Sequence, residues 1–407
     1  MQSVRKPSRD IGLDITRIVA FVSVPCVHFF KDTGFYTTPV LGARMYVMCV
    51  MRTMFMVCVP LFMLLSGYLM SNRVVPLNRK GIAVHISKAA KLFATYALAT
   101  VVVLAYRRWE MQEDVTLLNI LDYKQYSWYV NMYLGLYLMV PFLNALWRAL
   151  EDREAQRTLL GALLVLTVLP SVLNIYDFVT EGALLRPWLT KTRYGLVPDW
   201  WRGIYPITYY YIGAYVRRNV DVKRLNTLKL LALFCASVVF FGLFNIWRSY
   251  SIKFAEGPWE DWGGLQNTAN ALLLFLLINS IDYPTPGRAV SRAVGLVSSL
   301  TFGAYLVSWA ADRYFYARLR KAEPAVQLRL NHSRSSSERL SSVRWRCPLR
   351  SIWWSRGCGG CSGSSGSGGR PDCMKRRAAG PIRSGGASLA VIVRCPRRRP
   401  RGSAGRR

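Results

Sequence analysis

The chain has 407 residues, 52% of them hydrophobic and 13% aromatic, with only 19% charged, a balance that argues against a soluble multidomain protein and for a membrane chain. Its formal charge of +32 resembles that of a nucleic-acid binder, yet residues 324–407 carry 19 Lys+Arg against 2 Asp+Glu, so over half of the excess sits in the last fifth of the sequence. The cysteines divide between apolar stretches (Cys26, Cys49, Cys58, Cys235) and that basic end (Cys347, Cys358, Cys361, Cys373, Cys395), which excludes a secreted disulfide framework.

Nine apolar runs follow one another, and a helix needs roughly 20 such residues to cross about 30 Å of hydrocarbon. They are Ile11 to Phe30, Met45 to Met70, Val84 to Tyr106, Trp128 to Trp147, Thr158 to Ile175, Gly203 to Val216, Leu228 to Trp247, Thr268 to Ile281 and Val294 to Ala311. The sixth and eighth are short, as tilted or re-entrant segments would be. Because backbone in lipid must satisfy its own hydrogen bonds, and because no run alternates as a barrel strand would, the expected fold is all-α: a polytopic transmembrane helix bundle of about nine spans.

The first run lies close to Arg5, Lys6 and Arg9 and has no small-residue cleavage site after it, so it reads as a retained helix rather than a signal peptide. Basic residues gather in alternate connections: Arg73, Arg79 and Lys80; Arg148, Arg153 and Arg157; Arg217, Arg218, Lys223 and Arg224; Arg288 and Arg292. The intervening loops are more acidic, with Glu110, Glu113, Asp114 and Asp122 in one and Glu256, Glu260 and Asp261 in another. This bias predicts a cytoplasmic N-terminus, and is weakened by Arg186, Lys191 and Arg193 in the long loop from Tyr176 to Arg202.

Two regions result: a membrane domain over 1–323 and a basic tail over 324–407. The tail has 18 Arg to a single Lys, whereas the body has 24 Arg to 11 Lys. Rich in Ser, Gly, Arg and Pro, it cannot bury a core and is expected to be disordered. An out-of-frame reading of a GC-rich gene, beginning near codon 324, explains this composition better than an ordinary basic tail, which uses Lys freely. The Cys358-x2-Cys361 spacing resembles a zinc knuckle but has no hydrophobic support around it, so no metal site is assigned. Nucleic-acid binding is discounted too, since most of the tail's arginines lack interleaved aromatics.

Ionisable groups inside spanning helices are functional candidates. The first run carries Asp14, Arg17 and His28. Arg17 and His28 are eleven residues apart, which is three turns plus about 20°, so they share a face at roughly 16 Å along the axis. Taken singly, Arg17 reads equally well as a snorkelling side chain and His28 as an interfacial one.

Taken together, the Arg17-x10-His28 spacing resembles the signature of membrane acyltransferase family 3, the polytopic O-acyltransferases that modify bacterial surface polysaccharides. The run from Val59-Pro60-Leu61-Phe62 to Ser66-Gly67-Tyr68-Leu69, the pair Lys88-x2-Lys91, and the stretch from Ser127-Trp128-Tyr129 through Tyr137-Leu138 to Pro141-Phe142-Leu143 are similar to further family motifs. The resemblance covers roughly residues 9 to 318. It departs at Lys91, where Arg is typical, and in showing no tenth apolar run after Ala311.

The resemblance implies a multi-pass protein of the bacterial inner membrane that performs O-acetylation, with acyl-CoA (acetyl-CoA first) as donor substrate and no bound cofactor. A surface glycan or polyprenyl-linked saccharide would be the acceptor. His28 is then the catalytic imidazole, acting as a base on the acceptor hydroxyl or as a nucleophile carrying the acyl group. Arg17, Lys88 and Lys91 would supply cations for the donor's phosphates, although both lysines also read as positive-inside anchors beside Arg79 and Lys80. Ser66, Tyr68 and Trp128 are further substrate-binding candidates, against readings as helix packing for Ser66 and Tyr68 and as an aromatic belt for Trp128. His85 reads as interfacial. The aromatic cluster Trp188, Trp200, Trp201 and Tyr209-Tyr210-Tyr211 suits sugar faces or an interfacial belt. A transporter or flippase of lipid-linked sugars is the alternative function, against which stands the lack of an internal repeat.

Overall fold

The structure is a computed structural model that describes residues 10–115, 124–284 and 287–330. Among them the regular elements are helical: α1 (Ile11–Asp32), α2 (Ala43–Phe55), α3 (Cys58–Met70), α4 (Arg79–Trp109), α5 (Lys124–Ala149), α6 (Arg153–Thr167), α7 (Pro170–Leu173), α8 (Tyr205–Asn219), α9 (Thr227–Arg248), α10 (Leu265–Ser280) and α11 (Arg288–Ala322). The all-α polytopic bundle expected from the apolar runs is what forms.

Among the described residues, seven segments are long and apolar enough to cross a membrane: Ile11–Thr37, Ala43–Met70, Arg79–Trp109, Trp128–Ala149, Arg153–Leu173, Thr227–Arg248 and Ala289–Ala322. The two short runs are α8 and α10, with 15 and 16 residues. At 1.5 Å per residue they reach only about 22–24 Å. Both are enclosed by neighbouring helices: Tyr210 and Ala214 on α8, and Ala271 and Phe275 on α10, have no exposed surface.

Local chemistry sets the ends and breaks. The Asp10 carboxylate accepts from the backbone N–H groups of Gly12 and Leu13 and so caps α1. Pro60 has no N–H to give to the carbonyl four residues back, at Met56, and its ring crowds that carbonyl; the second run is therefore split into α2 and α3 at Met56–Val57 rather than forming one rod. α3 and α8 then cross closely because each offers a glycine to the other. A Cβ on Gly67 would lie 1.9 Å from the Tyr210 carbonyl oxygen, and one on Gly213 would lie 2.1 Å from that of Leu64.

α1 packs against α3, α10 and α11 and is thereby the inner helix on which the polar groups converge. α11 has 35 residues and runs eleven past the apolar stretch that ended at Ala311. Beyond it the chain still packs: Arg329 donates to the carbonyls of Thr33, Glu323 and Pro324, holding residues 324–330 against the end of α1. Packing thus continues through Leu330, the last described residue. Residues 331–407, which carry nearly all of the expected tail, lie outside the described residues, as do Arg5, Lys6 and Arg9.

Candidate active site

His28 sits in the second half of α1, with its side chain 23% exposed and its Nδ1 2.6 Å from Oδ2 of Asp312 on α11. The carboxylate is nearly buried. A carboxylate on Nδ1 holds that nitrogen's proton, leaves the basic lone pair on Nε2, and stabilises the imidazolium formed when Nε2 takes a proton. This pair lines a cavity of about 490 Å³ that also touches Trp128, Trp262 and Trp309. The Trp128 and Trp262 rings are 5.7 Å apart at their centroids.

One wall of that cavity holds a second buried pair. Arg52 on α2 bonds Glu260, donates from Nε to the Tyr36 hydroxyl at 2.7 Å, and lies 4.4 Å over the Phe254 ring. Both side chains are almost fully buried. Burial pushes the Glu260 carboxyl above the usual carboxylate range, and the Arg52 guanidinium opposes that rise. Across the described residues lining this cavity, the carboxylates of Asp32, Glu256, Glu260, Asp261 and Asp312 outnumber the cations Lys31, Arg52 and Arg313.

Arg17 belongs to a different space. It donates to Ser298 on α11 at 2.7 Å and lies 3.3 Å from Asp14, to which Ser298 also donates. Its cavity, of about 310 Å³, is lined by Arg17, Arg73, Ser66, Tyr133 and Tyr137, and no carboxylate occurs among its described lining residues. Arg17 and His28 therefore share a face of α1, as their spacing predicts, but open into separate cavities. The residues common to both linings are Phe62 of α3, Tyr129 of α5 and Tyr305 of α11. Tyr129 meets the other two rings at centroid distances of 5.6 and 5.7 Å.

The remaining sequence candidates divide. Ser66 lines the Arg17 cavity, with its hydroxyl donating to the Phe62 carbonyl, and Trp128 lines the His28 cavity. Tyr68 turns away, onto Phe275 and under the Arg217 guanidinium at 4.9 Å, because its neighbour Gly67 must face α8. Lys88 and Lys91 are exposed on α4 and are not among the described residues lining either cavity; Leu92 takes that place. His85 is buried, stacked on Tyr137 at 4.5 Å, with Nε2 2.8 Å from the Tyr137 carbonyl oxygen. Tyr209, Tyr210 and Tyr211 are core residues whose hydroxyls donate to the Trp262 carbonyl, the Asn144 side chain and the Leu143 carbonyl.

Asp312, Arg52, Glu260 and Arg73 also line these cavities and are not among the sequence candidates for the site. A sequence signal existed for Asp312: it is an acidic residue within one turn of the last apolar run, on a helix with no reason to stop at Ala311. Arg52 is likewise a cation inside the second run. Among the described residues no cluster of His, Cys, Asp and Glu could hold a metal ion.

Residues 10–331 match the family model described as an acyltransferase domain, that of acyltransferase family 3. No curated protein and no solved structure matches the chain.

Proposed function

The chain belongs to acyltransferase family 3, and from that premise we propose that it moves an acyl group, acetyl first, from acyl-CoA to a hydroxyl of a surface glycan or its polyprenyl-linked precursor. Membership of an acyltransferase family displaces the alternative of a lipid-linked sugar transporter.

The opposed chemistry of two cavities that share one wall carries this reading. Arginines without lining carboxylates suit the phosphates of a CoA donor. Excess carboxylates with tryptophans suit a polyhydroxylated neutral sugar, whose hydroxyls donate and whose ring faces pack on indoles. In the reaction, the acceptor hydroxyl oxygen attacks the thioester carbonyl while His28 Nε2 takes its proton. The C–S bond breaks, the ester forms, and the departing thiolate recovers the proton from the imidazolium, which Asp312 has stabilised meanwhile.

The connections on the Arg17 side hold Arg79, Lys80, Arg148, Arg153, Lys223 and Arg224, which supports placing that side in the cytoplasm, where acyl-CoA is made. His28 then faces the outer half of a bacterial inner membrane. The test is the alkali-labile acyl content of surface glycan in cells expressing wild type, His28→Ala or Asp312→Asn at matched levels. Loss in both variants is expected; unchanged acylation in both would remove the proposal.

A further inference from the structure

Two cavities that must exchange an acyl group meet at the described side chains common to their linings, so those side chains lie where the group passes. That wall is aromatic on all three of its helices, with Phe62 from α3, Tyr129 from α5 and Tyr305 from α11. Tyr129 is its centre: it lies 5.6 Å from Phe62 in a tilted contact, 5.7 Å from Tyr305 edge-on, and 6.1 Å from Tyr133, on which it stacks. Although it lines both cavities, Tyr129 is only 8% exposed and Tyr305 only 7%. Tyr129 packs on both Phe62 and Tyr305, and the Tyr129 and Tyr305 side chains are nearly buried.

We infer that this ring triad sets the length of acyl chain the enzyme accepts, with Tyr129 as the specificity-determining side chain. The inference rests on the proposed reaction, in which the donor is anchored by Arg17 and Arg73 and the acceptor lies beside His28. The thioester carbonyl then meets the hydroxyl at the wall, and the alkyl part of the acyl group must occupy the gap among the rings. A two-carbon group needs a small displacement of one ring. Each further methylene needs more, and interiors packed to crystal-like density resist such insertion. A tight apolar slot discriminates about 10–200-fold against one methylene it cannot fit.

The rings come from three different helices, so trimming one side chain widens the gap without removing the wall. Phe62 and Tyr129 carry no part of the proton transfer, which separates chain-length selection from catalysis at His28. Tyr133 and Tyr137 continue the aromatic row along α5 but touch only the Arg17 cavity, and so serve as internal comparisons.

The experiment uses full-length protein in lipid nanodiscs, acetyl-, butyryl- and hexanoyl-CoA as donors and glycerol as the hydroxyl acceptor. Released CoA thiol and glycerol ester are both quantified. Wild type is expected to favour acetyl over hexanoyl by at least 10-fold in kcat/KM. Tyr129→Ala should shrink that ratio at least 10-fold, Phe62→Leu should shift it the same way by less, and Tyr133→Leu should leave the ratio in place.

A wild type indifferent to chain length, or a ratio unmoved in folded Tyr129→Ala and Phe62→Leu, overturns the inference while leaving the acyltransferase reading intact. A wild type that releases no CoA from any donor overturns both. If Tyr129→Ala does not survive purification, Phe62→Leu alone decides.

Discussion

Nδ1 of His28 and Oδ2 of Asp312 lie 2.6 Å apart, joining the first helix of the bundle to the last across 284 positions of sequence. An amide at position 312 can offer its N–H₂ to Nδ1 and so favour the wrong tautomer. Asp312→Asn is therefore expected to lower kcat for acyl transfer by about 10²-fold or more, with KM for acyl-CoA little changed. His28→Ala should cost at least as much, and the double variant no more than the worse single one. Steady-state kinetics on the purified enzyme measure this.

Arg17 and Arg73 contribute to a different parameter. A charge-assisted hydrogen bond is worth about 1.5–3 kcal/mol, so Arg17→Gln and Arg73→Gln should each raise the donor KM by roughly 10–100-fold. Raised ionic strength should weaken donor binding in wild type and less so in the variants. Titration calorimetry with CoA itself reads the effect without turnover.

The Arg52–Glu260 pair tests stability. Removing one partner of a buried pair leaves an uncompensated charge, at a cost of about 3–5 kcal/mol, whereas replacing both with apolar residues is nearly neutral. Arg52→Met and Glu260→Leu singly should each lower the unfolding midpoint in detergent, and the double variant should recover most of the loss.

The same pair gives a pH signature. Burial holds the Glu260 carboxyl above the ordinary range, so the folded state takes up that proton more readily than the unfolded chain. Stability from this group is then full below the unfolded pKa, about 4.3, and is lost as pH rises through the folded value. Without the guanidinium the loss deepens. Arg52→Met should be further destabilised relative to wild type at pH 8 than at pH 5, as read by thermal unfolding at both pH values.

Helix approach supplies a last prediction. With a Cβ at Gly67 placed 1.9 Å from the Tyr210 carbonyl oxygen, which belongs to backbone and cannot rotate aside, Gly67→Ala must push α3 and α8 apart. A destabilisation of about 1–3 kcal/mol is expected, with a comparable effect for Gly213→Ala. Gly161 inside α6, whose added Cβ would meet nothing within 4 Å, is the clash-free control, where Ala should stabilise by up to about 1 kcal/mol.

How much of this the sequence discloses follows from the range of each interaction. Spans, their order and the shared face of Arg17 and His28 depend on periodicities within one helix, and these are legible. The break before Pro60 was equally local, but the continuous apolar run over it hid the division into α2 and α3. The partners of the reactive groups were not legible, because Asp312 and Glu260 reach His28 and Arg52 only through tertiary packing. Lys88 and Lys91 show the converse: a motif spacing on α4 predicts adjacency to each other, not which way the helix turns, and both face outward. Tyr68 likewise lies on Phe275 rather than along either cavity, since Gly67 fixes the rotation of α3.

The ring triad between the two cavities also bears on the host cell's energy supply. A continuous water-filled channel between the same two openings would let protons and ions run down the membrane voltage, which drives each elementary charge with about 2.3 kcal/mol per 100 mV. Tyr129 packed on both Phe62 and Tyr305 puts a mostly apolar barrier in the way of such ions. In a membrane that carries a voltage, the ring triad would stand between the two cavities and keep them from joining into one aqueous path.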